Sequence, residues 1–190
     1  MSIFVPSNQP MRKISNDELG RFSSEQYQSV KKTDIVVVLD NIRSLNNIGS
    51  VFRTSDAFRM GHVYLCGITA TPPHREIQKT ALGATESVDW SHHEDTFKLL
   101  SDLKTRGYTI AIIEQTDQAV LLHDFIPTEG GKIALVFGNE IHGVEEHLLP
   151  LADVAIEIPQ YGTKHSVNIS VSAGILIWHI FNLGNYQQYI

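Results

Sequence analysis

Three short segments carry most of the side chains able to do chemistry. The first is Asp40-Asn41-Ile42-Arg43-Ser44-Leu45-Asn46-Asn47-Ile48-Gly49, with Arg53 a little further on. The second is Gly138-Asn139-Glu140-Ile141-His142-Gly143. The third is Pro159-Gln160-Tyr161-Gly162-Thr163-Lys164-His165-Ser166-Val167-Asn168. Each mixes glycine with amides, hydroxyls or charged groups, and so offers hydrogen bonds on a backbone that can bend around a ligand. Asn46 or Asn47 suits the N-cap of a helix opening near Ile48. Gly49, in the first turn, lets another chain segment or a ligand come close. Arg53 lies less than two turns beyond Asn47, so its guanidinium can reach back to the helix start or out to a phosphate. Taken alone, it reads as a solvated surface charge. Gly138 marks a sharp turn, and Asn139 and Glu140 add an amide and a carboxylate; capping of a short helix over residues 144–149 would also explain them. Ser166 is a residue type suited to capping the last helix. Asn168 is unfavourable inside an apolar helix and so has to make a specific hydrogen bond.

Other chemistries fit less well. The chain has no Gly-x-Gly-x-x-Gly, no Walker A loop and no Gly-x-Ser-x-Gly elbow. His142 and His147 do not form His-Glu-x-x-His, and the nine histidines and one cysteine make no compact ligand set, so no metal is expected. His92 and His93 read as solvated.

The elements that must position these loops alternate. Strands are expected over residues 35–39, 62–66, 108–113, 133–137 and 154–158. Helices are expected over 48–60, 76–84, 94–106 and 166–183. Continuous β-branched runs such as Ile35-Val36-Val37-Val38 are typical of strands buried on both faces. The alternation predicts an α/β fold, a mainly parallel sheet flanked by helices. In such sheets ligands bind beyond the carboxyl ends of the strands, where all three polar segments fall. Residues 1–33 form a polar arm ahead of a single domain over 34–190. Ser15-Asn16-Asp17-Glu18 has the form of a capping box, which allows a helix over 16–29 or a loosely ordered arm. In the last helix Val167, Val171, Ile175 and Trp178 share one face, while Ile169, Leu176, Ile180 and Phe181 cover much of another. A helix apolar nearly all round needs covering on several sides, either inside one core or at a subunit interface.

The chain has 190 residues, 42% of them hydrophobic, consistent with one globular domain. No secretory leader or membrane span is evident, so a cytoplasmic protein is expected. Cys66 is the only cysteine and reads as a buried, reduced thiol. The net charge of −6 counts against nucleic-acid binding. The charge is uneven, however. Residues 1–90 hold ten Lys/Arg against nine Asp/Glu, and residues 91–190 hold five against twelve. A basic face on the N-terminal half is therefore possible.

At the three loops the sequence resembles the SpoU/TrmH family of SPOUT-class RNA 2′-O-ribose methyltransferases. Asn47-Ile48-Gly49-Ser50-Val51-Phe52-Arg53-Thr54 is similar to its first motif. Val136-Phe137-Gly138-Asn139-Glu140-Ile141-His142-Gly143 is similar to the second. Ile158-Pro159 with Ser166-Val167-Asn168-Ile169-Ser170-Val171-Ser172 is similar to the third. The order and spacing agree over residues 35–183. His142, Val144 and residues 161–165 depart from the motifs of some members, and no appended RNA-binding domain is seen.

The resemblance implies a C-terminal trefoil knot, S-adenosylmethionine as cofactor, and methyl transfer to a ribose 2′-hydroxyl of tRNA or rRNA. It implies a homodimer through the C-terminal helix, with no metal and no membrane. Gln115, Phe137, Gly138, Ile158 and Val167 would surround the cofactor. Asn47, Arg53, Glu140, Ser166 and Asn168 would line the reaction site, with Arg53 as the activating group. A guanidinium stays protonated, however, with a pKa above ~12, so Arg53 is better suited to bind phosphate or stabilise alkoxide charge. Two rival functions share the fold: a non-catalytic RNA-binding or assembly factor, and a small-molecule enzyme using the same sheet edge.

Overall fold

The computed structural model describes residues 11–15 and 17–186. The chain divides into two compact units, Met1–Val30 and Lys31–Ile190. The first has no continuous helix over 16–29. Glu18 does accept from the Ser15 N–H at 3.0 Å and the Ser15 hydroxyl at 2.9 Å, but across a single 3₁₀ turn, Asp17–Leu19. Gly20 then takes φ 57°, which ends the turn. A separate helix α1, Ser24–Ser29, starts with its own capping box between Ser23 and Gln26. Asn16 lies outside the described residues.

In the second unit the elements are β1 (Ile35–Asp40), α2 (Leu45–Ala57), β2 (His62–Cys66), α3 (Arg75–Ala81), α4 (Ala84–Ser87), β3 (Trp90–His93), α5 (Thr96–Thr105), β4 (Thr109–Ile113), β5 (Val120–Leu121), β6 (Ile133–Phe137), β7 (Val154–Glu157) and α6 (Ile169–Leu183). They build one seven-stranded sheet in the order β3-β2-β1-β6-β4-β7-β5, and every pair is parallel. Side chains along a strand alternate between faces, and here both faces are covered. Ile35, Val37 and Leu39 join Phe52, Ile77, Leu176 and Ile180 in one core under α2, α3, α4 and α6. Val36 and Val38 join Leu99, Leu100, Leu103 and Leu148 in a second core under α5 and a 3₁₀ turn, Glu146–Leu151. That turn replaces the short helix expected over 144–149.

Two strands escaped the sequence reading. β3 is Trp-Ser-His-His, an edge strand with little apolar character, and β5 has two residues. His92 is exposed, as expected, but His93 is half-buried in β3 and hydrogen-bonded to Ser91 at 3.0 Å. The helix expected over 76–84 ends at Ala81, because Leu82 (φ 51°) and Gly83 (φ 90°) adopt left-handed backbone. α2 starts three residues early, capped by Ser44 rather than Asn46 or Asn47. α6 starts late, capped by Asn168 rather than Ser166. β7 lies between β4 and β5, although residues 114–119 join those two directly, so this connection spans β7. No helix among the described residues is long and apolar enough to cross a membrane.

Candidate functional site

β1, β6, β4 and β7 are neighbours in the sheet, so the segments that leave their carboxyl ends emerge side by side. The chain proceeds from β1 outward to β2 and β3, and later strands fill the other side. A parallel sheet opens a crevice where its order reverses in this way. Beside that reversal, over the carboxyl ends of β6, β4 and β7, lies a cavity of about 470 Å³, within the range of ligand pockets.

The segment after β6 folds back tightly on itself. A side chain at Gly138 would overlap the Gly143 and Val144 backbone, with a Cβ only 2.2 Å from the Val144 nitrogen. Asn139 and Gly143 form an isolated antiparallel bridge, and the Gly143 N–H donates to the Asn139 carbonyl at 2.8 Å. The Asn139 amide donates to the Asn41 carbonyl at 2.7 Å, while its oxygen accepts from the Ile141 N–H at 2.9 Å. This hairpin-like turn presents the Glu140 carboxylate to the segment after β1. Glu140 accepts from the N–H groups of Arg43 (3.1 Å) and Ser44 (3.0 Å) and from the Asn47 amide (3.2 Å). Partial desolvation pushes its carboxyl pKa up. The Arg43 and Ser44 N–H groups, its own backbone and Asn47 outweigh that and hold it below the ordinary value.

Asn47 is buried, and its Oδ1 accepts from the Asn168 amide at 3.1 Å. The Asn168 oxygen caps α6, accepting from the Ser170 N–H at 2.9 Å and the Ser170 hydroxyl at 2.7 Å. The specific bond expected of Asn168 therefore exists, and it joins two loops. Glu140, Asn47 and Asn168 form one hydrogen-bonded chain across the three polar segments.

Gln115, Phe137, Gly138, Ile158 and Val167 all line the cavity, as do Glu140, Ser166 and Asn168. Asn47 stands behind Glu140 and Asn168 rather than on the lining. Arg53 is not brought to the cavity: it is exposed, further along α2. Gly49 does permit a close approach, but of α3. A Cβ there would lie 2.3 Å from the Ile77 carbonyl oxygen and 2.1 Å from Thr80 Oγ1. Sequence reasoning missed Glu114, which lines the cavity beside Gln115; its only signal was a polar residue directly after β4.

Residues 34–178 match the SpoU rRNA Methylase family. A tRNA (guanosine(18)-2′-O)-methyltransferase of Thermus thermophilus is 30% identical over 162 residues, covering 85% of this chain and 81% of that one. A 23S rRNA (guanosine-2′-O-)-methyltransferase RlmB of Neisseria meningitidis is 28% identical, covering 79% and 59%. Among solved structures, the A. aeolicus TrmH/SpoU tRNA modifying enzyme superposes with a TM-score of 0.77 at 23% identity, covering 87% and 83%. An AdoMet-bound rRNA methyltransferase from Sinorhizobium meliloti does so at 0.71 and 23%, covering 84% and 60%. A fully parallel α/β sheet with a polar cavity at its carboxyl edge thus coincides with a sequence match over most of the chain. The chain belongs to the SpoU family.

Proposed function

We propose that the protein transfers a methyl group from S-adenosylmethionine to a ribose 2′-hydroxyl of tRNA or rRNA. The observation that carries this reading is the Glu140–Asn47–Asn168 chain, which ties the three family motifs together beside a cavity lined by the second and third. The lining also suits this cofactor. Glu114, Glu140 and Glu157 are among the lining residues, and no Lys or Arg is. Such a site favours a cation over a polyphosphate. Ile113, Phe137, Ile158, Val167 and Ile169 provide apolar wall for a nucleoside.

S-adenosylmethionine supplies an electrophilic methyl at its sulfonium. Gln115, Phe137, Gly138, Ile158 and Val167 would hold it. Asn168, fixed by Asn47, and Ser166 orient the ribose so that the hydroxyl lies in line for attack; such positioning is a large part of the acceleration open to a transfer between two bound partners. Arg53 stands off this cavity, and its exposed guanidinium would bind the phosphate beside the target ribose.

The finer features are part of the same proposal. The protein forms a homodimer through α6. Val171, Ile175 and Trp178 lie at one-turn spacing and are 51%, 38% and 57% exposed, while Leu176, Ile177 and Ile180 on the other side are fully buried. An apolar stripe of this kind is a candidate for pairing. α6 packs against α2, with Phe58 edge-on to Trp178 at 5.7 Å, so a partner docked on α6 lies beside the helix that carries Arg53. The C-terminal knot that the family resemblance implies belongs to the same proposal. The reading needs no metal, so turnover should persist in EDTA, and a sharp loss would contradict it.

The decisive experiment incubates the protein with labelled S-adenosylmethionine and total RNA lacking the modification, then identifies labelled nucleosides by mass spectrometry. A 2′-O-methylnucleoside absent with Arg53→Ala is expected. Intact cofactor binding without transfer to any RNA would favour a non-catalytic RNA-binding factor.

A further inference from the structure

The hydrogen bonds around the cavity close into a ring, and one residue outside the family motifs completes it. Starting from the first segment, Asn47 meets Glu140 of the second and Asn168 of the third. On the far side the Gln115 amide reaches the His165 carbonyl of the third segment at 3.3 Å. The remaining gap, from β4 to the segment after β6, is bridged by Glu114 alone among the described side chains. Its Oε2 accepts from the Val144 N–H at 3.0 Å and its Oε1 from the Gln115 N–H at 2.9 Å. One carboxylate therefore fixes both the end of the Glu140 turn and the residue that holds the third segment.

The fit around Glu114 is tight. Gly143 adopts φ 69°, and a Cβ there would sit 1.9 Å from Glu114 Oε2. Glycine at 143 meets two demands at once: left-handed backbone and room for the carboxylate. An ionised carboxylate accepting backbone N–H groups makes stronger hydrogen bonds than a neutral acceptor does. Glu114 also spans two strands, β4 and β6, whose loops have no other side-chain tie on this side of the cavity.

We propose that Glu114 is a positioning residue for methyl transfer: it holds the two loops that shape the cofactor cavity in register. This rests on the reading of the cavity as the S-adenosylmethionine site. Glu114 acts through Val144 and Gln115, and its loss spreads to the Glu140 turn and to residues 159–168.

The test uses Glu114→Ala, Glu114→Gln and Gly143→Ala in the full chain. Amide hydrogen exchange without ligand reads the ring itself. Glu114→Ala should speed exchange at least tenfold over residues 138–147 and 159–168, leaving β1 and α2 protected. Unchanged exchange there, in a folded variant, overturns the proposal. Calorimetry with S-adenosylmethionine should show a dissociation constant at least tenfold weaker for Glu114→Ala. In turnover, KM for the cofactor should rise by a similar factor while kcat at saturation changes little. Glu114→Gln should recover part of both effects, because its one carbonyl oxygen can still accept from Val144 while its NH2 cannot accept from Gln115. No recovery by Gln, or a fall in kcat with KM unchanged, would overturn the positioning role. Gly143→Ala should weaken cofactor binding in the wild-type background and do so less in Glu114→Ala, where the clash is gone; equal effects in both backgrounds would also overturn it. If the wild-type protein itself binds no S-adenosylmethionine, the reading of the cavity fails, while the exchange measurement still decides whether Glu114 ties the loops.

Discussion

A carboxylate ringed by donors has little freedom to move, and Glu140 uses that restraint to set the start of α2. Hydrogen bonds to a charged acceptor are worth about 1.5–3 kcal/mol each when shielded, and less on a residue as exposed as this one. Glu140→Ala is expected to cost about 1–2 kcal/mol of stability and to remove most methyl transfer, read by thermal melts beside the RNA assay. A variant that melts early but turns over normally would confine Glu140 to scaffolding. Because the folded carboxyl titrates below its ordinary value, its contribution is present above that value and is lost as pH falls through the folded pKa. Asp40 is the opposite case. It is 1% exposed, and its Oδ2 has no hydrogen-bond partner among the described residues. Oδ1 accepts from the Thr96 hydroxyl at 2.5 Å and the Asn41 amide at 3.2 Å. Burial pushes the carboxyl up, against the pull of Thr96. A raised folded pKa means stability is full below the ordinary carboxyl value and declines as pH rises through the folded one. Asp40→Asn should therefore raise Tm at pH 8 and make little difference near pH 4, about the unfolded pKa. A lower Tm at pH 8 would show that the ionised group is needed.

At the scale of elements, helix starts decide where the site residues stand. Ser44 accepts from the Asn47 N–H at 3.3 Å and so starts α2 early enough to put Asn47 in its first turn, beside Glu140. Ser44→Ala should cost about 1 kcal/mol, with a larger effect on turnover than on melting. α2 and α3 meet across Gly49, where even a methyl has no room. Gly49→Ala is expected to destabilise by about 1–3 kcal/mol as the helices part, measured by denaturant unfolding. A neutral result would mean that α3 shifts freely. The strands were legible from β-branched runs because both faces of a parallel sheet are buried. β3 and β5 were not, since edge and very short strands need no apolar pattern. The helix ends were misplaced by a few residues because Ser, Asn and Gly supply several plausible caps within one turn, and only the neighbouring loops choose among them.

At the scale of the whole molecule, the outer stripe of α6 asks for cover that the described residues do not supply. Trp178→Glu should convert a dimer to monomer by sedimentation and lower activity. A monomeric wild-type protein, or a dimer insensitive to this change, would remove α6 as the interface. The cofactor class suits the acidic lining, whereas RNA must meet basic residues outside the cavity. Transfer rates should therefore fall with rising salt even where cofactor affinity does not.

The amino-acid sequence encodes locally the alternating α/β elements, the three polar loops at the strand ends and the family they resemble. These are local patterns, written in hydrophobic period and residue type. It also required a partner for Asn168 without saying which. The folded structure added that the partner is Asn47, that Gly49 makes room for a helix and not a ligand, and that Arg53 stands off the cavity. It alone gave Glu114 a part in the site. The reason is physical: these contacts join residues far apart in the chain, across strands whose order in the sheet differs from their order in sequence. No local pattern encodes which loop ends face one another.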